Sequence, residues 1–190
     1  AASGQVIEPA LAYQHVKQAW RLEPADLAVL QVIAAWRERE SRARDVARNR
    51  LLRERTLCPL AQRRPDSLQA LSRIEDMHPR TVRHEGETLL RLIRVGQAVA
   101  PADYPEALPE PLPAAANRLL KRLRKVGQQE AERRGIAPEI MLRKKVLEAM
   151  VRTGYPNGPY SLPEELTGWR RALLGDALLN AANNALEVAE

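Results

Sequence analysis

Two stretches of this chain, about 90 residues apart, repeat each other. Gly86-Glu87-Thr88-Leu89-Leu90 returns as Gly175-Asp176-Ala177-Leu178-Leu179, and Leu51-Leu52-Arg53 with Leu57 returns as Met141-Leu142-Arg143 with Leu147. That period is too long for a stacked solenoid and suits a small domain present twice. A chain of 190 residues has room for two such domains, each able to bury only a modest core. Phe is absent and aromatic residues make up 4% of the chain, so the cores must be built from Leu, Ile, Val and Ala.

Nearly every segment reads as helix. Pro24 suits a first helical turn, Asp26 favours its positive end, and Leu27, Leu30, Ile33 and Ala34 recur at helical spacing through Trp36. From Arg37 to Arg44 the composition turns to Arg and Glu, so this helix is expected to project beyond its core into solvent. Asp45 to Ala61 reads as two short helices with a break near Asn49 to Arg53, because a single helix would hold Pro59 in its interior. Pro65-Asp66-Ser67 starts a short helix, His78-Pro79 marks a turn, and a last helix is expected from near Gly86 through Val95.

A boundary follows. Pro101, Pro105, Pro109, Pro111 and Pro113 alternate with small and acidic residues from 100 to 114, an extended, semi-rigid composition. Beyond it, Leu119, Leu123 and Val126 mark one side of an amphipathic helix, and Arg118, Lys121, Arg122 and Lys125 form a stripe on the other. Ile136-Ala137-Pro138-Glu139 starts a helix, and Arg143-Lys144-Lys145 adds a second basic knot. Tyr155 and Tyr160 lie in a Gly/Pro loop, where they could stack on unpaired bases or close the small core. Trp169 precedes a closing helix through Leu173, Leu174, Leu178 and Leu179, and both Trp36 and Trp169 are assigned to cores.

Charge is distributed unevenly. Of a formal +6, the segment 37–64 carries +6 and the segment 118–145 carries +7, leaving −7 for the remainder. Basic clusters of this kind are the footprint of nucleic-acid binding, although Arg-rich helices also serve as solvated faces with Glu partners. The single Cys58 excludes an intrachain disulfide framework and fits a reducing compartment. With no long apolar run and no signal peptide at its start, the chain is expected to be cytoplasmic, without a membrane partner.

Catalytic patterns are hard to find. His15, His78 and His84 are scattered, none pairs with Cys58 at a metal-ligand spacing, and neither a P-loop nor a dinucleotide fingerprint is present. Phosphodiester cleavage by two metals needs several convergent carboxylates, and Glu75-Asp76 and Glu164-Glu165 are the only adjacent acidic pairs. The chain is expected not to be an enzyme by itself.

Ala19-Trp20-Arg21-Leu22 leads into Leu27-Ala28-Val29-Leu30-Gln31 and then Ala35-Trp36-Arg37-Glu38-Arg39-Glu40. Arg44-Asp45-Val46-Ala47-Arg48-Asn49 follows, and then Arg53-Glu54 with Leu57, Ala61 and Pro65. This run resembles the first HRDC (helicase and RNase D C-terminal) domain of the bacterial ribonuclease D family. The second half, through Leu166-Thr167-Gly168-Trp169-Arg170, looks like that family's divergent second HRDC domain. The resemblance implies an all-α fold of two small HRDC-like helical bundles joined by a Pro-rich linker. On it, residues 1–20 are the connector or tail of a nuclease domain missing here. Residues 21–99 are then the first HRDC domain, 100–114 the linker and 115–190 the second domain.

Ribonuclease D is a 3′-to-5′ exoribonuclease of the DEDD class that uses two divalent metal ions and trims transfer RNA precursors and other structured RNAs. Its HRDC domains help to bind RNA and guide it to the nuclease. None of the nuclease carboxylates or its tyrosine matches a position here, so the implied catalytic set is empty and no cofactor is expected in this chain. The implied partners are RNA, with tRNA precursors foremost, and the nuclease domain. HRDC domains also occur in RecQ-type helicases, where they bind single-stranded or branched DNA, and helical bundles of this kind can act as protein-docking modules. The tandem arrangement and the Ala19-Trp20-Arg21-Leu22 lead-in favour the ribonuclease. Phosphate contacts are expected from Arg44, Arg48, Arg53 and Arg55 in the first half. In the second they are expected from Arg118, Lys121, Arg122 and Lys125, and from Arg143, Lys144 and Lys145, with Tyr155 and Tyr160 as candidates for base stacking.

Overall fold

The structure, a computed structural model, describes residues 6–137 and 143–187. All regular structure among them is helical. The chain divides into two compact units, Ala1–Glu110 and Pro111–Glu190.

In the first unit, α1 spans Pro24–Ala43, α2 Arg48–Leu51, α3 Glu54–Arg63, α4 Leu68–Ser72 and α5 Pro79–Gln97. Pro24 opens α1, and Glu23 and Asp26 form a reciprocal capping box at its start. Helix α1 is the hub, packed by α5, by α3 and by the 3₁₀ turn Pro9–His15. Partners on several sides explain why Leu27, Val29, Leu30 and Ile33 are all buried although they do not share one face. Residues 6–20, which fall in the stretch 1–20 expected as a connector, contribute Tyr13, Val16 and Ala19 to this core.

The expected projection of α1 into solvent is overturned. Arg37, Glu38 and Ser41 are buried. The Arg37 guanidinium donates to the Leu52 carbonyl (2.9 Å), the Arg48 carbonyl (3.3 Å) and Asn49 Oδ1 (2.8 Å), so the turn between α1 and α3 folds back over the charged end of α1. Asn49 Oδ1 also accepts the Glu54 amide and so supports the start of α3. The break expected near Asn49 to Arg53 is present, at Leu52-Arg53, and Pro59 sits inside α3.

Helix α5 starts seven residues earlier than expected. His78 is extended, as a residue before proline should be, but it is the N-cap, with Pro79 in the first turn. Near the other end, a Cβ on Gly96 would lie 2.6 Å from Val29 Cα, so only glycine lets α5 approach α1 this closely.

In the second unit, α6 spans Asn117–Arg133, α7 Lys144–Arg152 and α8 Gly168–Glu187. Leu120, Leu123, Gly127 and Ala131 form the buried face of α6, with Leu119 and Val126 half-buried. The apolar face is therefore centred beside the expected Leu119–Leu123–Val126 line. Ile136 and Ala137 are not helical, and the helix expected from Pro138 and Glu139 lies outside the described residues.

The repeat extends to structure. Helices α1 and α6 both end in a Schellman motif: Val46 N–H donates to the Ser41 carbonyl after Asp45 at φ 51°, and Ile136 N–H to the Ala131 carbonyl after Gly135 at φ 67°. Arg53 and Arg143 are the extended N-caps of α3 and α7. Gly86 in α5 and Gly175 in α8 each admit a leucine from the preceding segment, since a Cβ there would lie 2.6 Å from Leu68 and 2.8 Å from Leu162. The Pro-rich segment is docked on either side of its division, with Leu108 packed on the first core and Leu112 on the second.

Candidate nucleic-acid interface

Most cations near the tail of α1 have internal partners. Glu38, buried, accepts from Arg42 (2.7 Å) and from Arg48 Nε (2.6 Å) and Nη2 (3.1 Å). Burial pushes the Glu38 carboxyl up, but the hydrogen bonds and charges of Arg48 and Arg42 outweigh it and hold the group below its ordinary value. The group ionises more readily folded than unfolded. Its stabilisation is thus present above the unfolded-state pKa and is lost as pH falls through the lower folded one. We expect Glu38→Gln to lower the melting temperature at pH 7 and the gap from wild type to close as pH falls toward 3, as followed by circular dichroism; a gap independent of pH would contradict this.

Arg44 pairs with Glu85, which is buried, and with Glu40 at 2.9 Å, and these bonds raise the guanidinium above its ordinary value, Glu85 contributing most. Of the four cations expected to contact phosphate in this unit, Arg44 and Arg48 are therefore held by carboxylates. Arg53 is exposed, donating weakly to the Asp76 carbonyl at 3.5 Å, and Arg55 is exposed too, without a hydrogen bond or ion pair among the described residues.

The first unit also brings together residues that periodicity cannot. A groove of about 820 Å³ runs between the α1–α3 turn and the start of α5. Arg44, Arg50 and Arg53 line it on one side, and His78, Arg80 and His84 on the other. Local spacing does not point to Arg50, Arg80 or the two histidines as ligand contacts, because some 30 residues of chain separate the two walls. The one signal in the letters is His78-Pro79, which reads as a turn but is the cap of the helix that carries Arg80.

In the second unit the expected basic stripe is present. Arg118, Lys121, Arg122 and Lys125 are exposed on the side of α6 opposite its buried residues, and none makes a hydrogen bond or ion pair among the described residues. By the 90-residue correspondence the equivalent positions of α1 are Ala28, Gln31, Val32 and Ala35. These are buried or half-buried, and Gln31 donates to the Ala10 carbonyl of the N-terminal segment at 3.1 Å. One face of the repeated helix is thus a packing surface in one unit and an open cationic surface in the other. Arg143, Lys144 and Lys145 are exposed at the first turn of α7, where the helix dipole is already positive; only Lys144 has a carboxylate nearby among the described residues, Glu148 at 3.8 Å.

Of the two roles left open for the loop tyrosines, Tyr160 takes core closure, and one tryptophan expectation is corrected. Tyr160, at 6% exposure, belongs to the second core, and Asn183 clamps its backbone by accepting from its N–H (2.9 Å) and donating to its carbonyl. Burial, and secondarily the nearby Tyr155, pushes its phenol up. Tyr160 is not placed to stack on a base, and Tyr155 is half-buried against the same core. Trp36 is in the core as expected, but Trp169 is 45% exposed, with the Arg170 guanidinium 4.5 Å from its ring centre. Cys58 is half-buried; burial, helped by the Glu54 charge, pushes its thiol up to about 11, which keeps it protonated and weakly nucleophilic near neutrality. No helix among the described residues is long and apolar enough to cross a membrane.

The HRDC domain family matches residues 26–93. Ribonuclease D of Pseudomonas paraeruginosa is 54% identical over 178 residues, which is 94% of this chain and 47% of that protein. Ribonuclease D of Cronobacter turicensis is 33% identical, covering 95% of this chain and 49% of that protein. The crystal structure of Escherichia coli RNase D, described as an exoribonuclease involved in structured RNA processing, is similar with a TM-score of 0.63 at 28% identity; the match covers 94% of this chain and 48% of that one. The chain spans about half the length of the curated relatives it matches.

Proposed function

We propose that this chain, whose residues 26–93 are an HRDC domain and which matches about half of ribonuclease D, is the RNA-gripping region of a ribonuclease D-like 3′-to-5′ exoribonuclease. The observation that carries the reading is the open face of α6. Four cations share it, no carboxylate among the described residues neutralises them, and the corresponding face of α1 is covered by protein. Mutual repulsion of cations on one face is relieved when phosphates lie opposite. The exposed Arg143, Lys144 and Lys145 add charge at a helix start, where an anion is favoured.

Such contacts supply affinity and orientation with little base specificity, which suits structured RNA presented to an active site elsewhere. On this reading the substrates are tRNA precursors handled in the cytoplasm, and the nuclease domain is the functional partner. This chain binds and does not cleave. On this reading the two divalent metal ions belong to that nuclease domain.

The test is a titration of the chain into fluorescently labelled tRNA bearing a 3′ extension, at two salt concentrations, with single-stranded DNA as competitor. Micromolar or tighter binding that weakens with salt and resists the DNA is expected. Absence of binding at low salt would reject the reading, and preference for the DNA would move the chain to the helicase type.

A further inference from the structure

We propose that the groove between the α1–α3 turn and the start of α5 is a second, separate grip on the RNA, taking a short run of its backbone phosphodiesters; this rests on the RNA-binding reading above. The lining is wrong for an apolar ligand, because Val46 and Leu51 are its only aliphatic residues and Leu51 is buried. It is right for a polyanion. Arg50, Arg53 and Arg80 converge on the groove from three places: α2, the turn before α3, and the first turn of α5. None of the three has a carboxylate within ion-pair distance among the described residues. The one acidic lining residue, Glu85, is held by Arg44, so it does not neutralise the others.

Convergence from separate elements distinguishes this site from a solvated helix face, where cations are brought together by periodicity alone. His78 sharpens the geometry. Its Nδ1 accepts the Arg80 N–H at 3.1 Å, which leaves the ring proton of the neutral form on Nε2, a donor that no group among the described residues uses. The same hydrogen bond ties the imidazole to the residue that carries one of the groove's free guanidinium groups. The positive end of α5, a 19-residue helix, adds to the field. Arg50 and Arg80 are the contacting residues to test, being exposed and unengaged by the fold.

The experiment compares RNA affinity of the full chain with that of Arg50→Glu/Arg80→Glu, using the tRNA described above and circular dichroism to verify the fold. The double variant is expected to bind at least about fivefold more weakly at low salt, with a salt dependence shallower by roughly 1.4 in log K per log salt, the share of two phosphates. Arg50→Lys/Arg80→Lys should restore most of the affinity, since a phosphodiester accepts a point charge. Wild-type RNA binding with an unchanged double variant would overturn the groove and leave the α6 reading standing. No RNA binding by wild type would overturn both.

Discussion

Arg37→Ala is expected to open the first unit at the junction of α1, α2 and α3. Arg37 is 8% exposed, and its guanidinium joins three acceptors on the turn that covers it. Removing it strands the Leu52 carbonyl and leaves the Arg48 carbonyl and Asn49 Oδ1 with one backbone N–H each, those of Leu52 and Glu54. Loss of a buried charged donor with several partners costs about 2–4 kcal/mol. At tenfold per 1.4 kcal/mol this is roughly a 30- to 700-fold rise in local opening. Hydrogen exchange read by mass spectrometry should show that rise in peptides covering 44–63, with the second unit's peptides unchanged. Lysine in place of Arg37 should rescue little, because it keeps the charge but not the fork that reaches three acceptors. If exchange in 44–63 were unaltered, the buried guanidinium would be a bystander.

Reversing the α6 stripe is expected to have the largest effect on binding. Lys121→Glu/Arg122→Glu/Lys125→Glu removes three cations and installs three anions on one face, while Leu120, Leu123 and Ala131 still hold the helix to its core. None of the three side chains engages the described residues, so helicity and thermal unfolding should stay near wild type. RNA affinity at low salt should fall by about tenfold or more. The salt dependence should flatten by roughly 2 in log K per log salt, at about 0.7 for each phosphate no longer neutralised. Unchanged affinity with an unchanged slope would mark the stripe as a solvated face and shift the burden of binding to the groove and α7.

These two variants separate two kinds of Arg that look alike in the sequence. Arg37, Arg48 and Arg118 all lie in basic, Glu-containing stretches, yet the first is an internal staple, the second is held by buried Glu38, and the third is open to solvent. Composition registers the density of positive charge but not its counterion. For Arg48 the counterion is ten residues away in sequence and sits beside it only because α1 ends and the chain folds back.

The repeat was legible for a similar reason and only in part. Gly86 with Leu89 and Gly175 with Leu178 are identical residues doing one job, so the echo is visible in the letters. The matched helix ends at Asp45 and Gly135 are not, because a left-handed backbone can be supplied by either residue and the motif lives in φ.

By itself the amino-acid sequence determined the helical class, the twofold internal repeat, the Pro-rich boundary and the α6 stripe. Each of these is written in local spacing, at the 3.6-residue period or in residues that constrain their own backbone. The tertiary structure decided which cations are free, that Tyr160 is core and Trp169 surface, and that Arg50 and Arg80 meet across a groove. Burial and ion pairing depend on contacts between residues distant in the chain, and no local pattern encodes which side of a helix another segment will cover.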